Sequence, residues 1–186
     1  GFGSYSKRFG SGAGNVLQLE VITADGNLRT VNSYQDPDLY WALKGGGGGT
    51  FGVVVRQTLL AHPIPRLDGW LSGSIEAAND VLLEEVLQRY LELVREALVN
   101  PSWGEGIVIE PGQRRLQLGT AFLDLEADAA EAIWQPLLEP LRQRPDDFRV
   151  QARFRSQPFE RKWQPSGESV FWDRRPGAPA GQFWWK

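Results

Sequence analysis

Asp36-Pro37-Asp38-Leu39-Tyr40-Trp41-Ala42-Leu43-Lys44-Gly45-Gly46-Gly47-Gly48-Gly49-Thr50-Phe51-Gly52-Val53-Val54 is the stretch from which the fold of this chain is read. Asp36-Pro37 opens a helix, because Asp can cap and Pro is tolerated at the first helical position. The helix runs to Lys44, whose charge suits the negative end of the dipole, and five successive glycines stop it. The β-branched Val53-Val54-Val55 then start a strand that continues towards Leu59-Leu60. Gly47-x-Gly49-x-x-Gly52 has the spacing of a dinucleotide fingerprint in the wrong order. In a Rossmann unit the glycines join a strand to the N-terminus of the next helix, so that pyrophosphate meets the positive end of a dipole. Here the helix comes first. No Gly-Lys-Ser/Thr follows, so the run is not a P-loop either. It offers backbone N–H groups without side chains, able to approach a planar or anionic ligand. A plain helix-to-strand connection is the alternative, but five glycines lose more entropy on ordering than a connector needs.

Upstream, residues 1–14 are a loop by composition, and 15–22 read as a strand whose dense apolar positions predict cover on both faces. Asp25-Gly26 is a hairpin signal, with 28–31 as the return strand. Downstream, His62-Pro63-Ile64-Pro65 brackets a domain boundary, giving 1–65 and 66–186 with a break in packing near 62–66. Beyond it a strand is expected over 70–75. A long helix over 80–98 carries the stripe Leu83, Leu87, Tyr90, Val94 and Leu98. Strands at 107–109 and 116–122 flank Pro111-Gly112. A second helix over 127–142 is kinked at Pro136, and a last strand spans 148–154. The order β-α-β-β-α-β makes an antiparallel sheet with helices on one face, hence an α+β fold. From Gln157 the chain becomes Pro-, Gly- and Trp-rich, which reads as loop packed on something else.

Composition removes several functions. The chain has 186 residues, 41% hydrophobic and 23% charged, an ordinary globular mix. Twenty Lys and Arg against 23 Asp and Glu give a net charge of −3, which argues against a nucleic-acid module. No Cys and a single His exclude disulfides, Cys-ligated zinc, iron–sulfur ligation, a cysteine nucleophile and multi-histidine metal sites. No apolar run approaches the ~18 residues of a membrane span and no signal pattern opens the chain, so the expected compartment is the cytoplasm. There is no Met, and the chain starts in mid-motif at Gly1-Phe2-Gly3, so it reads as a fragment of a longer protein.

Other candidates are weaker. Ser4-x-x-Lys7 has the Ser/Lys acyl-enzyme spacing without its Lys-Thr-Gly companion. His62 reads as a boundary residue bonded to backbone, since the chain has no Gly-x-Ser-x-Gly elbow. Asp36 and Asp38 suit a helix start better than a catalytic pair, and Glu84 and Glu85 suit the dipole of the long helix. The Trp residues read as core or interface anchors, apart from Trp41, which stands one turn before the glycine run.

The 36–54 stretch resembles the signature of FAD-linked oxidases of the berberine bridge enzyme type, within the vanillyl-alcohol oxidase (PCMH-type) flavin fold. Gly1-Phe2-Gly3 through Ser6-Lys7-Arg8-Phe9-Gly10 resembles the end of that family's glycine-rich loop and the stretch after it. Asn15-Val16-Leu17 and Thr23-Ala24-Asp25-Gly26 fit in order and spacing, and Gly73-Ser74-Ile75-Glu76 and Trp134-Gln135-Pro136-Leu137 more loosely. The resemblance implies the second lobe of an FAD domain over 1–65 and part of a substrate domain over 66–186. It implies hydride transfer from a small organic substrate to FAD, with dioxygen reoxidising the flavin. Gly1, Phe2 and Gly3 would lie along the flavin, and Gly48, Gly49, Thr50, Phe51 and Gly52 would supply backbone contacts, with Val53 starting the strand behind them. Thr50 stands where the family often has Asn. The first lobe, with its pyrophosphate loop, and the closing C-terminal part are outside the chain, so no catalytic base is assigned and the missing lobe is an expected partner. The 186 residues alone are expected to bind FAD weakly or not at all. Metal, nucleic acid and membrane are not expected. A truncated non-catalytic interaction module and a Ser/Lys hydrolase are the alternatives.

Overall fold

Hydrogen bonding organises the chain around two antiparallel sheets; the computed structural model describes residues 3–104 and 106–159. After a single turn, α1 (Ser6–Phe9), come β1 (Val16–Ile22), β2 (Leu28–Asn32), α2 (Pro37–Gly45) and β3 (Val53–Leu59). They form a three-stranded sheet in the order β2-β1-β3. Leu19 faces Val31 across one ladder, and Val21 faces Val54 across the other. The β1–β2 turn is held by Asp25, whose carboxylate accepts from Thr23, Asn27 and Arg29. These bonds hold the Asp25 carboxyl well below the usual carboxylate range, Thr23 contributing most.

β1 is covered on one face only, contrary to the expectation from its apolar density. Leu19 and Val21 are buried beneath Leu39, Tyr40 and Leu43 of α2, whereas Leu17 is 48% exposed. Among the described residues only α2 packs against this small core, so alternate side chains point away from cover. The start of α2 also departs from the sequence reading. Asp36 sits in the left-handed region (φ 47°) and its side chain makes no capping bond, so Pro37 alone marks the helix start.

The second sheet holds β4 (Leu67–Ala77), β5 (Trp103–Gly104), β6 (Ile107–Glu110), β7 (Arg115–Leu123) and β8 (Phe148–Pro158). Its order is β5-β7-β4-β8, with β6 also on β7. The helices α3 (Asp80–Leu93) and α4 (Ala127–Arg142) intervene in the expected order. The two-residue β5 and the length of β4 were not foreseen. α3 is capped by Asn79, whose Oδ1 accepts from Leu82 N at 3.0 Å, and its last turn widens into a π-turn over Val94–Leu98. α4 continues through both Pro136 and Pro140.

Leu71 and Ile75 of β4 and Leu116 and Phe122 of β7 share a fully buried core with Val86 of α3 and Trp134, Leu138 and Leu141 of α4. Trp134 is its centre: the Tyr90, Trp103 and Phe154 rings lie 6.0–6.4 Å from it. Glu85 of α3 ties the edge of this layer. Burial alone would raise its carboxyl, but hydrogen bonds from Arg144 and Arg89 outweigh that and hold it below the usual value. The face opposite α3 and α4 carries Trp70, Arg153 and Arg155, and the segment that leads into α1 meets it at Gly104 and Asp68.

Candidate functional site

The glycine run folds as a turn between α2 and β3. Gly47 (φ 82°) and Gly49 (φ 76°) occupy the left-handed region, and Phe51 follows at φ 60°. Thr50 Oγ1 donates to the carbonyls of Gly46 (3.1 Å) and Gly47 (3.0 Å), closing the turn on itself. This hydroxyl therefore serves the loop's own geometry. Gly52 is required by packing, since a Cβ there would stand 2.5 Å from the Ile22 carbonyl of β1. Gly48 differs: its φ is ordinary and a Cβ would meet nothing within 4 Å. Neither the fold nor the backbone requires glycine at that position.

A cavity of about 810 Å³ runs along this turn, within the size range of small-molecule sites. Gly48, Gly49, Thr50, Gly52 and Val53 line it, with Gly12 and Ala13 across from them. Lys44 lines it too. The sequence reading gave Lys44 only a role at the end of the helix. Its Nζ donates to the Tyr40 hydroxyl at 3.1 Å and lies 4.6 Å from that ring, which leaves a positive charge on the cavity wall. Phe51 is half exposed and does not line the cavity; Trp41 is exposed.

Gly1 and Phe2 lie outside the described residues. Gly3 is exposed, and its N–H donates to Ser6 Oγ at 2.8 Å. The segment after it is pinned to the second sheet rather than to the glycine run. The Tyr5 hydroxyl donates to Asp68, Lys7 Nζ to the Leu98 carbonyl at 2.7 Å, and Arg8 pairs with Asp124 at 2.6 Å. The Lys7 bond gives the ammonium a structural role at a helix terminus, which the Ser4/Lys7 reading does not call for. His62 also differs from expectation: its Nε2 meets the Asn15 side chain at 2.9 Å, not backbone, and its ring lies 5.0 Å from Phe9.

Asp124 escaped the sequence reading. Its Oδ1 accepts from the N–H of Arg66 (2.6 Å) and of Leu67 (3.2 Å), while Oδ2 holds Arg8. Desolvation pushes its carboxyl up, but these bonds outweigh it and leave the group below the ordinary aspartate value. One side chain thus joins α1, the start of β4 and the end of β7. No local pattern announces a role built from partners so distant in sequence. Among the described residues no group of His, Asp and Glu is arranged to hold a metal ion, and no helix is long and apolar enough to cross a membrane.

No protein-family model matches the chain. It is 44% identical over 98 residues to the FAD-linked oxidoreductase ZEB1 of Gibberella zeae, a match that takes in 53% of this chain and 17% of that protein. A solved VAO-type flavoprotein of Myceliophthora thermophila, MtVAO615, superposes with a TM-score of 0.69 at 28% identity, covering 87% of this chain and 30% of the other. Wild-type BBE-like 1 of Physcomitrella patens superposes with a TM-score of 0.66 at 16% identity, a likeness of fold, over 84% of this chain and 32% of that one. The chain thus spans under a third of the solved proteins it resembles and about a sixth of the curated relative.

Proposed function

We propose that this chain, homologous to FAD-linked oxidoreductases and built on the VAO-type flavoprotein fold, forms one wall of the flavin site of an FAD-dependent oxidoreductase. When bound, the flavin would accept hydride from a small organic substrate and pass its electrons to dioxygen. Gly48 carries this reading. It is a glycine that neither sterics nor φ demands, on the wall of a cavity of ligand size. Omitting a side chain there keeps the backbone open to close approach from outside.

The residues present fit such a group. Gly48, Gly49 and Thr50 offer main chain to a flat ring, and Lys44 offers charge to an anionic portion. Thr50 keeps the turn closed, and Phe51 flanks it. Val53 seats the turn on β3, while Gly52 lets it lie against β1. Gly1, Phe2 and Gly3 would add contacts from a second segment, and the remainder of the longer protein would supply the others. The division at residue 65 remains part of this proposal, with 66–186 as the substrate-facing part. A base that moves a proton is not assigned to any side chain of this chain.

The test is the visible flavin spectrum of the full-length protein. Gly48→Val is expected to cut the flavin content of purified protein by about ten-fold while leaving thermal unfolding of the apoprotein within ~0.5 kcal/mol, as for an open surface position. A Gly48→Val protein that purifies with stoichiometric FAD overturns the assignment.

A further inference from the structure

Every described arginine but two has a carboxylate partner. Arg8, Arg29, Arg56, Arg66, Arg89, Arg95, Arg114, Arg115, Arg142, Arg144 and Arg149 each reach an Asp or Glu oxygen at 2.6–3.9 Å. Arg153 and Arg155 reach none among the described residues. They stand two apart on β8, so both project from the same face of the second sheet, the face opposite α3 and α4. On β4 their register partners are Ser72 and Trp70. Trp70 is 46% exposed, whereas Trp103 and Trp134 on the other side of the layer are at most 1% exposed. Its indole reaches towards β7, within 3.6 Å of where a Cβ on Gly119 would stand, so small residues leave room around it.

These side chains line a cavity of about 690 Å³ together with Asp68 and Gln157. Asp68 is the opposing charge on that wall, and the Tyr5 hydroxyl donates to it. Two guanidinium groups against one engaged carboxylate leave the cavity positive. The same Tyr5 bond places the cavity beside the segment that starts at Gly3. Arginine presents a planar fork of donors that matches carboxylate and phosphate oxygens, and charge-assisted bonds of this kind are the stronger ones. An exposed indole offers a flat apolar surface to an unsaturated ring.

We propose that the face of the second sheet opposite α3 and α4 is an anion-recognition site, where Arg153 and Arg155 take a carboxylate or phosphate group of the substrate and Trp70 packs on its flat part. The identity of this ligand as the substrate rests on the flavin reading; the site itself rests on two arginines without a carboxylate partner among the described residues. Neutral polyols and simple amines are then poor ligands for this face, and acids of aromatic or conjugated character are preferred.

Calorimetric titration of the full-length protein with benzoate, with its neutral counterpart benzamide and with phenyl phosphate tests this. Benzoate or phenyl phosphate is expected to bind about ten-fold or more tightly than benzamide, as the loss of a charge-assisted bond implies. Which of the two binds better identifies the anion. Arg153→Gln/Arg155→Gln is expected to reduce the preference for the anions below about two-fold, while Trp70→Ala weakens charged and neutral probes alike. Arg149→Gln, two same-face positions before Arg153 on β8 and paired with Glu76, is expected to keep the preference and so controls for general charge. All these side chains are exposed, and thermal unfolding of each variant checks its fold. Equal binding of anions and benzamide by the wild type, no measurable binding of any probe, or a preference that survives in the double variant overturns the proposal. The absorbance of the same samples separates the two readings. A yellow protein without anion preference refutes this site alone, and a colourless one that still discriminates keeps the site and refutes the flavin.

Discussion

The two sheets bury very different amounts of themselves. In the first, Leu19, Val21 and Val31 make the whole buried cluster, and every residue of β3 is exposed, Val53 and Val55 included. In the second, α3 and α4 lie on one face and a continuous core extends from Leu71 to Phe148. Hydrophobic burial scales with area removed from water, so most of the folding free energy of the described residues resides in the second sheet. The glycine turn and its cavity lie on the sparsely covered one. The well-buried part of the molecule and the part that carries this cavity are thus separate. The segment that precedes β1 is tied to the second sheet by Asp124 with Arg8, Lys7 with Leu98 and Tyr5 with Asp68, and by the Tyr5 ring beside Phe159.

Truncation at the two places gives the largest contrast. Trp134→Ala removes a fully buried ring that contacts three others and is expected to cost about 3–5 kcal/mol. Val54→Ser on β3 is expected to change stability by no more than ~0.5 kcal/mol, as for an exposed position. Urea unfolding of the two variants measures both. Equal losses would mean that β3 is buried in solution and that the contrast is wrong.

Within the glycine turn the same contrast recurs between two residues. Gly52→Val drives a Cβ into the β1 backbone at a φ of 150° that side chains disfavour, and is expected to cost on the order of 2–4 kcal/mol in overpacking and strain. Gly48→Val meets nothing and is expected to leave folding intact while removing the flavin. Thermal melts and flavin absorbance of the pair separate glycine needed for the fold from glycine needed for the ligand. Flavin retained in both, or lost in both with equal destabilisation, would erase the distinction.

Much of this was legible in the residues. The order helix, glycines, strand is local information, and so is the apolar stripe of α3. What escaped was set by partners far along the chain. The apolar density of 15–22 could not reveal that α2 covers one face only, so Leu17 was given a cover it lacks. Asp36 looked like a cap, but its left-handed backbone points the side chain elsewhere. Asp124 depends on Arg8 and Arg66, and His62 on Asn15, 47 residues away. In the glycine run, sequence cannot tell Gly52, excluded from bearing a side chain by β1, from Gly48, which is not. The sequence also shows the charges of Arg153 and Arg155 but not that they lack a carboxylate partner among the described residues.

Asp124 offers a smaller effect with a pH signature. Asp124→Asn keeps the shape but weakens the bonds to Arg8 and to the two backbone N–H groups, with an expected loss of about 1–2 kcal/mol near neutral pH. The folded carboxyl lies below its ordinary value, so the native state binds fewer protons than the unfolded one around that value. The contribution is therefore full above about pH 4, the ordinary aspartate range, and is lost as the pH falls through the lowered folded value. The gap between wild type and variant should be flat from neutral pH down to about 4 and then close. Denaturant titrations at a series of pH values would show it. A gap that widens on acidification would mean that Asp124 is not the ionised clamp of the two regions.

The smallest effect comes from one substitution made in both sheets. Thr120 lies on β7 opposite Leu71, fully buried, and its Oγ1 has no hydrogen-bond partner among the described residues. A buried hydroxyl without a partner forfeits its bonds to water and gains nothing in exchange. Valine has nearly the same shape and the same preference for strands. Thr120→Val is therefore expected to stabilise the protein by about 1 kcal/mol, raising its melting temperature by roughly 2–4 °C for a chain of this size. Thr58 on β3 is exposed, and its hydroxyl is hydrated in the folded and unfolded states alike, so Thr58→Val is expected to fall within ~0.5 kcal/mol of zero. Calorimetric melts of the two variants decide the matter by sign. If Thr120→Val destabilises instead, the hydroxyl has a bonding partner in solution and the second core is less dry than its apolar walls imply; if Thr58→Val stabilises as much, β3 is covered and the two sheets are more alike than their burial indicates.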